Sequence, residues 1–380
     1  MLNNFKKREV DRMPKGIRRL FPILLILAFV SPAVLEGKET SADDQKKHPV
    51  VLNPKKLAQL GGVRQEVCIK DVFSRKILFY EPKEDVQISI DSNENIYVVD
   101  RELALIKVFD KNGTLLHQLG GKGEESGKMI FPTNLLITSQ DEILIKDKAK
   151  FRLNLFSLQG KILRSISYSI QNLGKIRLNS KGNIIADSFI NEGSKSLFEI
   201  SQYDKEFNLI KRLVSWDVTD VFKEPELLYF GRYIDWEIMR DDKIVMGMSD
   251  KYIFHIYSPD GNIIKEFKKE FDPARISYEE KEKELNRAHP SAKERLKKMV
   301  YHKAFQYFTI DNKNRIIVRT WEKTADKINY YYDVFNSEGV YISRFWGNFS
   351  IKKWINGKFL AVEDLPDGNS VLKIYEVIWN

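Results

Sequence analysis

Short runs of alternating apolar and polar residues recur along most of the chain. Clear examples are IYVVD from Ile96 and IKVFD from Ile106, and the turn KNG separates the second run from TLLHQL. A period of two is typical of β-strands with one buried face, and Asn, Asp and Gly supply the backbone angles that tight hairpins need. The pattern predicts a protein built mainly from short antiparallel strands.

The strand pattern also repeats. VFDKNG has counterparts in LFSLQG, QYDKEF, IYSPDG and VFNSEG, and a degenerate one in IYEVIW. The aromatic residues of these segments are 47, 47, 54, 78 and 40 residues apart, at Phe109, Phe156, Tyr203, Tyr257, Phe335 and Tyr375. A period in the forties is the spacing of propeller blades with four strands each. Six units therefore predict an all-β fold, a six-bladed β-propeller.

The sixth unit ends at the C-terminus one strand short. Because an unpaired strand edge promotes aggregation, we expect an N-terminal strand near VCIKDVF, which begins at Val67, to complete the last blade. Cys68 would then be a small buried residue of this closing strand. It is the only cysteine, so an internal disulfide is excluded.

The stretch NIYVVDRELALIKVFDKNGTLLHQLGGKGEESGKMIFPTNL, from Asn95, resembles an NHL repeat. It has a strand that ends in Asp, an apolar-x-Val-Phe strand, a Gly turn, a Gly-rich corner and a following Phe-Pro. The chain as a whole resembles the exported six-bladed propellers of bacteria. Later units lack the Gly-rich corner and the Phe-Pro, so the resemblance assigns no residue roles there.

The Gly-rich corner GGKGEESGK does not form a phosphate-binding loop. A P-loop needs Ser or Thr after Gly-Lys, whereas Met129 follows Gly127 and Lys128. The dinucleotide pattern fails as well, because its last glycine is displaced and no helix pattern follows. We interpret the corner as the link from one blade's outer strand to the next blade's inner strand.

The N-terminus is typical of a secretory signal. Basic residues precede the apolar run LFPILLILAFV, and SPA follows it, so we expect residues 1–33 to be removed after Ala33. An uncleaved membrane anchor is the alternative. Residues 34–60 are polar and lack periodicity, which indicates a flexible leader before a propeller at residues 61–380. The expected location is secreted or periplasmic, with membrane attachment only through an uncleaved segment.

Net charge does not indicate a nucleic-acid partner. The whole chain carries +9, but residues 34–380 contain 55 basic and 51 acidic residues. Proteins that bind phosphate backbones need clustered positive charge, and this small excess is scattered.

One long insertion separates the fourth and fifth units. Residues 274–304 are rich in helix formers, and Pro290 should divide them into two helices. Its apolar residues could dock on the propeller at Leu285, Leu296, Met299 and Val300. The insertion is either a lid or docking arm over the central channel or a surface decoration, and the sequence leaves both open.

Candidate ligand-binding residues come from two places on the face around the channel. The link between blades three and four is rich in aromatic residues, among them Trp216, Tyr229, Tyr233 and Trp236. The second strands of the first three blades end in Asp100, Asp147 and Asp187, which could bind a cation or polar ligand. The alternative is that these aspartates accept backbone hydrogen bonds at strand ends.

Two functions from different classes follow. The first is an exported, noncatalytic propeller without a cofactor that binds a protein, peptide or glycan through its elaborated face. The second is a divalent-cation-dependent hydrolase or lyase, because some lactonases of similar architecture hold calcium in the channel. No catalytic residue or metal ligand is assigned, since the five histidines lack zinc spacing and no nucleophile elbow is present. A structural domain of an envelope assembly is a third possibility.

Overall fold

The computed structural model describes residues 49–55, 62–69, 86–170, 172–223, 234–365 and 370–379. Over these residues the chain forms six small sheets in a ring, a six-bladed β-propeller, as the repeat predicted. In blades 1, 2, 3 and 5 the four strands are antiparallel and follow one another along the chain from the inner to the outer strand, whereas blades 4 and 6 each include a strand from the N-terminal part of the chain.

The strands are short, as expected from the alternating runs. Blade 1 contains β3 to β6, blade 2 β7 to β10, blade 3 β11 to β14, blade 4 β15 to β18, blade 5 β19 to β22, and blade 6 β23 to β25 with β2. Their bounds are β1 (Val50–Asn53), β2 (Gly62–Ile69), β3 (Ile88–Ile90), β4 (Ile96–Asp100), β5 (Leu105–Phe109), β6 (Leu115–Gly120), β7 (Pro132–Ile137), β8 (Glu142–Asp147), β9 (Arg152–Ser157), β10 (Ile162–Ser167), β11 (Leu173–Leu178), β12 (Ile184–Glu192), β13 (Lys195–Tyr203), β14 (Leu209–Asp217), β15 (Ile234–Ile238), β16 (Ile244–Met248), β17 (Ile253–Tyr257), β18 (Ile263–Lys269), β19 (Phe305–Ile310), β20 (Ile316–Lys323), β21 (Tyr330–Phe335), β22 (Tyr341–Gly347), β23 (Ser350–Ile355), β24 (Lys358–Asp364) and β25 (Ser370–Ile378).

The ring is closed by the N-terminal strand. β2 pairs antiparallel with β25 and supplies the outer strand that blade 6 lacks, which confirms the predicted closure. The strand begins at Gly62, earlier than the expected VCIKDVF. The side chain of Cys68 lies outside the described part of the structure.

Blade 4 has a fifth strand that the sequence analysis did not predict. β1, within the expected flexible leader, pairs in parallel with the outer strand β18. The Asn53 side chain donates to the Gly339 carbonyl at 2.8 Å and accepts from the Tyr341 amide at 2.8 Å. The leader prediction is corrected at these residues, because pairing with a distant edge leaves no local sequence pattern.

The hydrophobic core lies between neighbouring blades. Between blades 4 and 5, Phe254 stacks on Phe267 and on Phe305 with ring centroids 4.9 and 5.0 Å apart, and all three rings are buried. Burial of one such side chain contributes about 1.5–3 kcal/mol. The alternating pattern therefore places each strand's apolar residues against the next blade.

The described residues contain three α-helices, α1 (Thr219–Lys223), α2 (Tyr278–Arg287) and α3 (Pro290–Lys298), and a short 3-10 helix at Lys148–Lys150. A capping box formed by Ser277 and Glu280 begins α2, and Pro290 is the first residue of α3. Proline fits the first helical turn because its missing N–H has no partner there. The division at Pro290 is as predicted. In the described part of the chain, no helix is long and apolar enough to span a membrane.

Candidate ligand channel

The six inner strands surround a central channel of about 880 Å³. All six blades contribute to its wall, for example through Ile88, Leu136, Arg177, Glu237, Ile310 and Ile351. This volume is in the range of small-molecule sites. The channel is therefore large enough to hold a ligand.

The channel wall is strongly basic. It contains seven basic side chains and three carboxylates: Arg101, Lys146, Lys148, Lys175, Arg177, Lys352 and Lys353 against Asp187, Asp235 and Glu237. The chain from residue 34 has nearly equal numbers of basic and acidic residues, so the excess of positive charge is a local property of the channel wall. A cleft lined by one sign of charge concentrates the opposite sign, which favours anionic ligands.

The wall made by blades 3 and 4 is a closed ion network. Lys175 Nζ donates to Asp235 Oδ1 at 2.5 Å, to Glu237 Oε1 at 3.1 Å and to the Trp236 carbonyl at 2.7 Å. Arg177 binds Glu237 through two nitrogens, at 2.7 and 2.5 Å. Such bidentate pairs are strong and directional. Both cations are thus neutralised by carboxylates of the neighbouring inner strand.

The charge of Glu237 is fixed by this network. Burial alone would raise the pKa of Glu237, but Arg177 and Lys175 outweigh burial and lower the pKa to about 2. Glu237 is therefore ionised at neutral pH and cannot act as a proton donor there.

The opposite wall, on blade 6, carries two consecutive lysines. The pairing of β23 with β24 shifts between Ile351 and Lys353, so Lys352 is an extra residue in the strand. Such bulges redirect side chains near functional sites. Lys352 Nζ donates to Ser350 Oγ at 2.9 Å. Lys353 is half-buried, and its pKa is lowered by burial and by the nearby Arg177.

One end of the channel combines exposed aromatic rings with cations. We call Arg101, Phe131, Lys148 and Phe189 the mouth patch; all four line the channel. Phe131 is 39% and Phe189 40% exposed, and the Arg101 guanidinium lies 5.4 Å from the Phe131 ring centroid. Arg101, Phe131 and Lys148 come from turns and links of blades 1 and 2, and Phe189 lies in β12 of blade 3.

Below the mouth patch, Lys146 is buried in the channel wall. Its Nζ donates to the Leu173 and Gly174 carbonyls, at 2.8 and 2.5 Å. Burial lowers the pKa of Lys146 to about 8; Asp187 opposes this change and Lys148 reinforces it. Near neutral pH a larger fraction of Lys146 is therefore unprotonated than of an ordinary lysine.

The three strand-end aspartates have different environments. Asp100 pairs with Lys107 at 3.1 Å, and Asp147 accepts from the Ile130 and Phe131 amides at 3.1 and 3.0 Å. Asp100 also accepts from the Leu103 amide at 3.2 Å, and neither Asp100 nor Asp147 lines the channel. Asp187 does line the channel.

The aromatic link contributes less to the channel than expected. Trp216 donates to the Tyr257 hydroxyl at 2.7 Å and packs between blades 3 and 4. Trp236 lies on the channel wall but is only 1% exposed. Tyr229 and Tyr233 fall outside the described residues.

The helical insertion packs on blade 5. Leu296 is fully buried, with Leu285, Met299 and Trp321 around it. His302 stacks on Trp321 at 3.9 Å between ring centroids, and its Nε2 lies 3.2 Å from Glu280 Oε2. No residue of 274–304, a segment described in full, lines the channel. The insertion therefore contributes no side chain to the channel wall.

A calcium-dependent site does not fit the described residues. Among them, no group of three or more His, Cys, Asp or Glu side chains is placed to hold a metal ion. Asp235 and Glu237 already bind Lys175 and Arg177, and lysines surround them. Calcium needs six to eight oxygen ligands, whereas the described channel wall contributes three carboxylates, two of which bind Lys175 and Arg177.

A second polar cluster lies between blades 4 and 5. Asp333 accepts from the Tyr252 and Tyr341 hydroxyls at 2.6 and 2.9 Å, and Lys269 and Arg344 each lie 3.3 Å away. The adjoining cavity is only about 10 Å³, roughly the space for one water. This cluster therefore stabilises the packing of the two blades.

The residues of the mouth patch and the channel lysines were missed by the sequence analysis. A usable signal was present, because Phe131 belongs to the Phe-Pro that begins an inner strand, and Lys352–Lys353 follow directly after the start of another. Inner strands form the channel wall in any propeller. Charged residues within them were therefore better candidates than the long links.

Comparisons with known proteins identify the fold. No family model and no curated protein matches the chain. A predicted exported protein from Bacteroides fragilis matches with a TM-score of 0.57 and 11% identity, over 87% of this chain and 99% of that one. A member of the DUF4221 family from Bacteroides vulgatus has a TM-score of 0.51 and 9% identity, over 85% and 99%. A virginiamycin B lyase from Staphylococcus aureus, at 0.45 and 9% identity over 82% and 98%, is too distant to bear on function. Such similarity supports the six-bladed fold alone; the NHL family itself is not shown.

Proposed function

We propose that the chain is an exported, noncatalytic binding propeller that recognises an acidic peptide or protein segment at the mouth of its central channel. The mouth patch carries the proposal: two phenylalanines, each about two-fifths exposed, stand beside two cations at the entrance of a ligand-sized channel. Export rests on the signal-like pattern of residues 1–33.

The chemistry of the mouth patch favours a peptide over a glycan. Arg101 and Lys148 offer only hydrogen-bond donors, whereas a sugar hydroxyl network is best matched by donors and acceptors together. Aromatic residues and arginine are enriched in protein interfaces. A segment with apolar side chains and carboxylates would satisfy both parts of the patch.

Two carboxylates of the channel wall are not suited to general acid or base catalysis at neutral pH. The carboxylates Asp235 and Glu237 are held by Lys175 and Arg177, and Glu237 is ionised at neutral pH. A general acid or base needs a pKa near the working pH. Within the described channel wall, these two carboxylates are therefore committed to the ion network.

Selection of peptides from a random display library on the full-length chain tests the proposal. We expect enriched peptides to combine Asp or Glu with apolar residues, and the double variant Phe131→Ala/Phe189→Ala to weaken their binding about tenfold or more. The matched control is Leu163→Ala/Ile264→Ala, which removes equally exposed side chains from outer strands. No enrichment, or equal loss in both double variants, would contradict the proposal.

A further inference from the structure

Three lysines that line the channel differ in what surrounds their amines: Lys146, Lys175 and Lys353. Lys146 Nζ donates to two backbone carbonyls, and Lys175 Nζ donates to two carboxylates and a carbonyl. Lys353 lies on β23 and, in the described part of the chain, its side chain makes no hydrogen bond and no ion pair. Of these three amines, only that of Lys353 is held by no neighbour.

The positive charge of Lys353 is poorly stabilised. Half-burial removes part of the water around the ammonium group, a cost that an ion pair normally offsets. Burial and the nearby cations Arg177 and Arg240 lower the pKa of Lys353, and Glu237 opposes them only in part. Near neutral pH a larger fraction of Lys353 is therefore unprotonated than of an ordinary lysine.

An unprotonated lysine amine is a nucleophile. Removal from water and a neighbouring cation both increase the reactivity of a lysine toward a carbonyl carbon, and both apply to Lys353. No donor among the described residues occupies its lone pair. The channel, with a volume of about 880 Å³, has room for a small molecule beside the amine.

The charge of the channel wall favours a carbonyl compound that is also an anion. The described wall contains seven basic side chains and three carboxylates. Two of these carboxylates, Asp235 and Glu237, already bind Lys175 and Arg177. Because a positively charged cleft concentrates anions, an oxo acid is favoured over a neutral aldehyde or ketone.

We propose that Lys353 binds a small oxo acid, an aldehyde or ketone that carries a carboxylate, through a reversible imine in the channel. The unprotonated Nζ attacks the carbonyl carbon, and a proton passes from the nitrogen to the carbonyl oxygen to give a carbinolamine. Loss of that oxygen as water leaves the imine, so amine and oxo acid give imine and water without oxidation or reduction.

The neighbouring carboxylate suits this bond. Glu237 is ionised at neutral pH and lies within electrostatic reach of Lys353, so its charge stabilises the protonated imine. Hydrolysis of the imine returns both reactants. The site goes beyond the proposed function, because it adds covalent capture of a small molecule, and it does not depend on the mouth patch.

Reductive trapping on the full-length chain tests the site. The chain is incubated at neutral pH with succinate semialdehyde and sodium cyanoborohydride, and the labelling of each lysine is followed by peptide mass spectrometry. We expect Lys353 to be labelled about tenfold or more faster than exposed Lys313, because each unit of lowered pKa raises the unprotonated fraction about tenfold. Butanal, which lacks the carboxylate, is the matched probe and should give a smaller ratio of Lys353 to Lys313 labelling.

Lys353→Arg keeps the positive charge and removes the nucleophile. The fast labelling should disappear in this variant, while labelling of the other lysines and the midpoint of thermal unfolding stay as in the wild type. Equal rates at Lys353 and Lys313, faster labelling of Lys146 or Lys175, or equal ratios with the two probes would overturn the proposal. Phe131→Ala/Phe189→Ala should label Lys353 at the wild-type rate, so failure of the peptide proposal leaves this result interpretable.

Discussion

The helical insertion on blade 5 and the channel mouth of blades 1 to 3 differ in what their apolar residues do. In the insertion, the apolar face is used for packing, since Leu296 is fully buried against Leu285, Met299 and Trp321. At the mouth, Phe131 and Phe189 remain about two-fifths exposed. The apolar residues of the long insertion therefore stabilise the fold, whereas those of the mouth patch are exposed at the site of the proposed binding.

The largest expected effect is on the insertion. Leu296→Ala removes a fully buried side chain and should destabilise the packing of α2 and α3 by about 2–5 kcal/mol. Hydrogen exchange and limited proteolysis of residues 274–304 would detect the opening. Val300→Ala, at a position 47% exposed, is the control and should have little effect. If Leu296→Ala also weakened peptide binding, the separation of the two regions would be wrong.

The next effect is on β1, which reinforces the same side of the ring. Asn53→Ala leaves the Gly339 carbonyl and the Tyr341 amide without their side-chain partner. A buried group left unsatisfied costs about 1–3 kcal/mol, so β1 should detach and the midpoint of urea unfolding should fall. Leu52→Ala, on the same strand at 78% exposure, should leave the midpoint nearly unchanged. Equal effects of the two variants would show that Asn53 does not fasten the strand.

The third prediction concerns the pH dependence of stability that Glu280, in the insertion, should cause. The hydrogen bond with His302 lowers the pKa of Glu280 to about 2, and Ser277 and Lys323 add to this effect against burial. Because the unfolded value is about 4.5, the unfolded state binds more protons in this range, and stability falls as pH decreases from 4.5 to 2. Above that range the contribution is complete.

Urea unfolding between pH 6 and pH 2 measures this contribution. The wild type should exceed Glu280→Gln in stability at pH 6, and the difference should shrink as pH falls toward 2. Exposed Glu294 lies in the same insertion, and Glu294→Gln is the control. A difference that stays constant with pH would assign the Glu280 effect to packing instead of charge.

The sequence predicted the ring because strand alternation and a period in the forties are local patterns repeated six times. The closure by β2 followed from counting strands, and the break at Pro290 followed from the chemistry of proline. The residues that line the channel were harder to predict from local patterns. Whether a side chain such as Asp147 faces the channel depends on the register of its strand, which the pairing partners determine. The orientation of Lys353 depends in addition on the bulge at Lys352. Likewise, β1 is held by contacts more than 200 residues away.

The smallest expected effect on stability is at the channel mouth. Lys148 is exposed, so Lys148→Met should change the free energy of unfolding by no more than about 0.5 kcal/mol. It should nevertheless raise the pKa of Lys146 above about 8, because Lys148 is one of the charges that lower it. The ¹³C-methyl resonance of Lys146, followed from pH 6 to pH 11, would report the shift. Lys150→Met is the control, since Lys150 pairs with Glu124 instead. An unchanged Lys146 pKa in Lys148→Met would show that the charge of Lys148 does not affect Lys146.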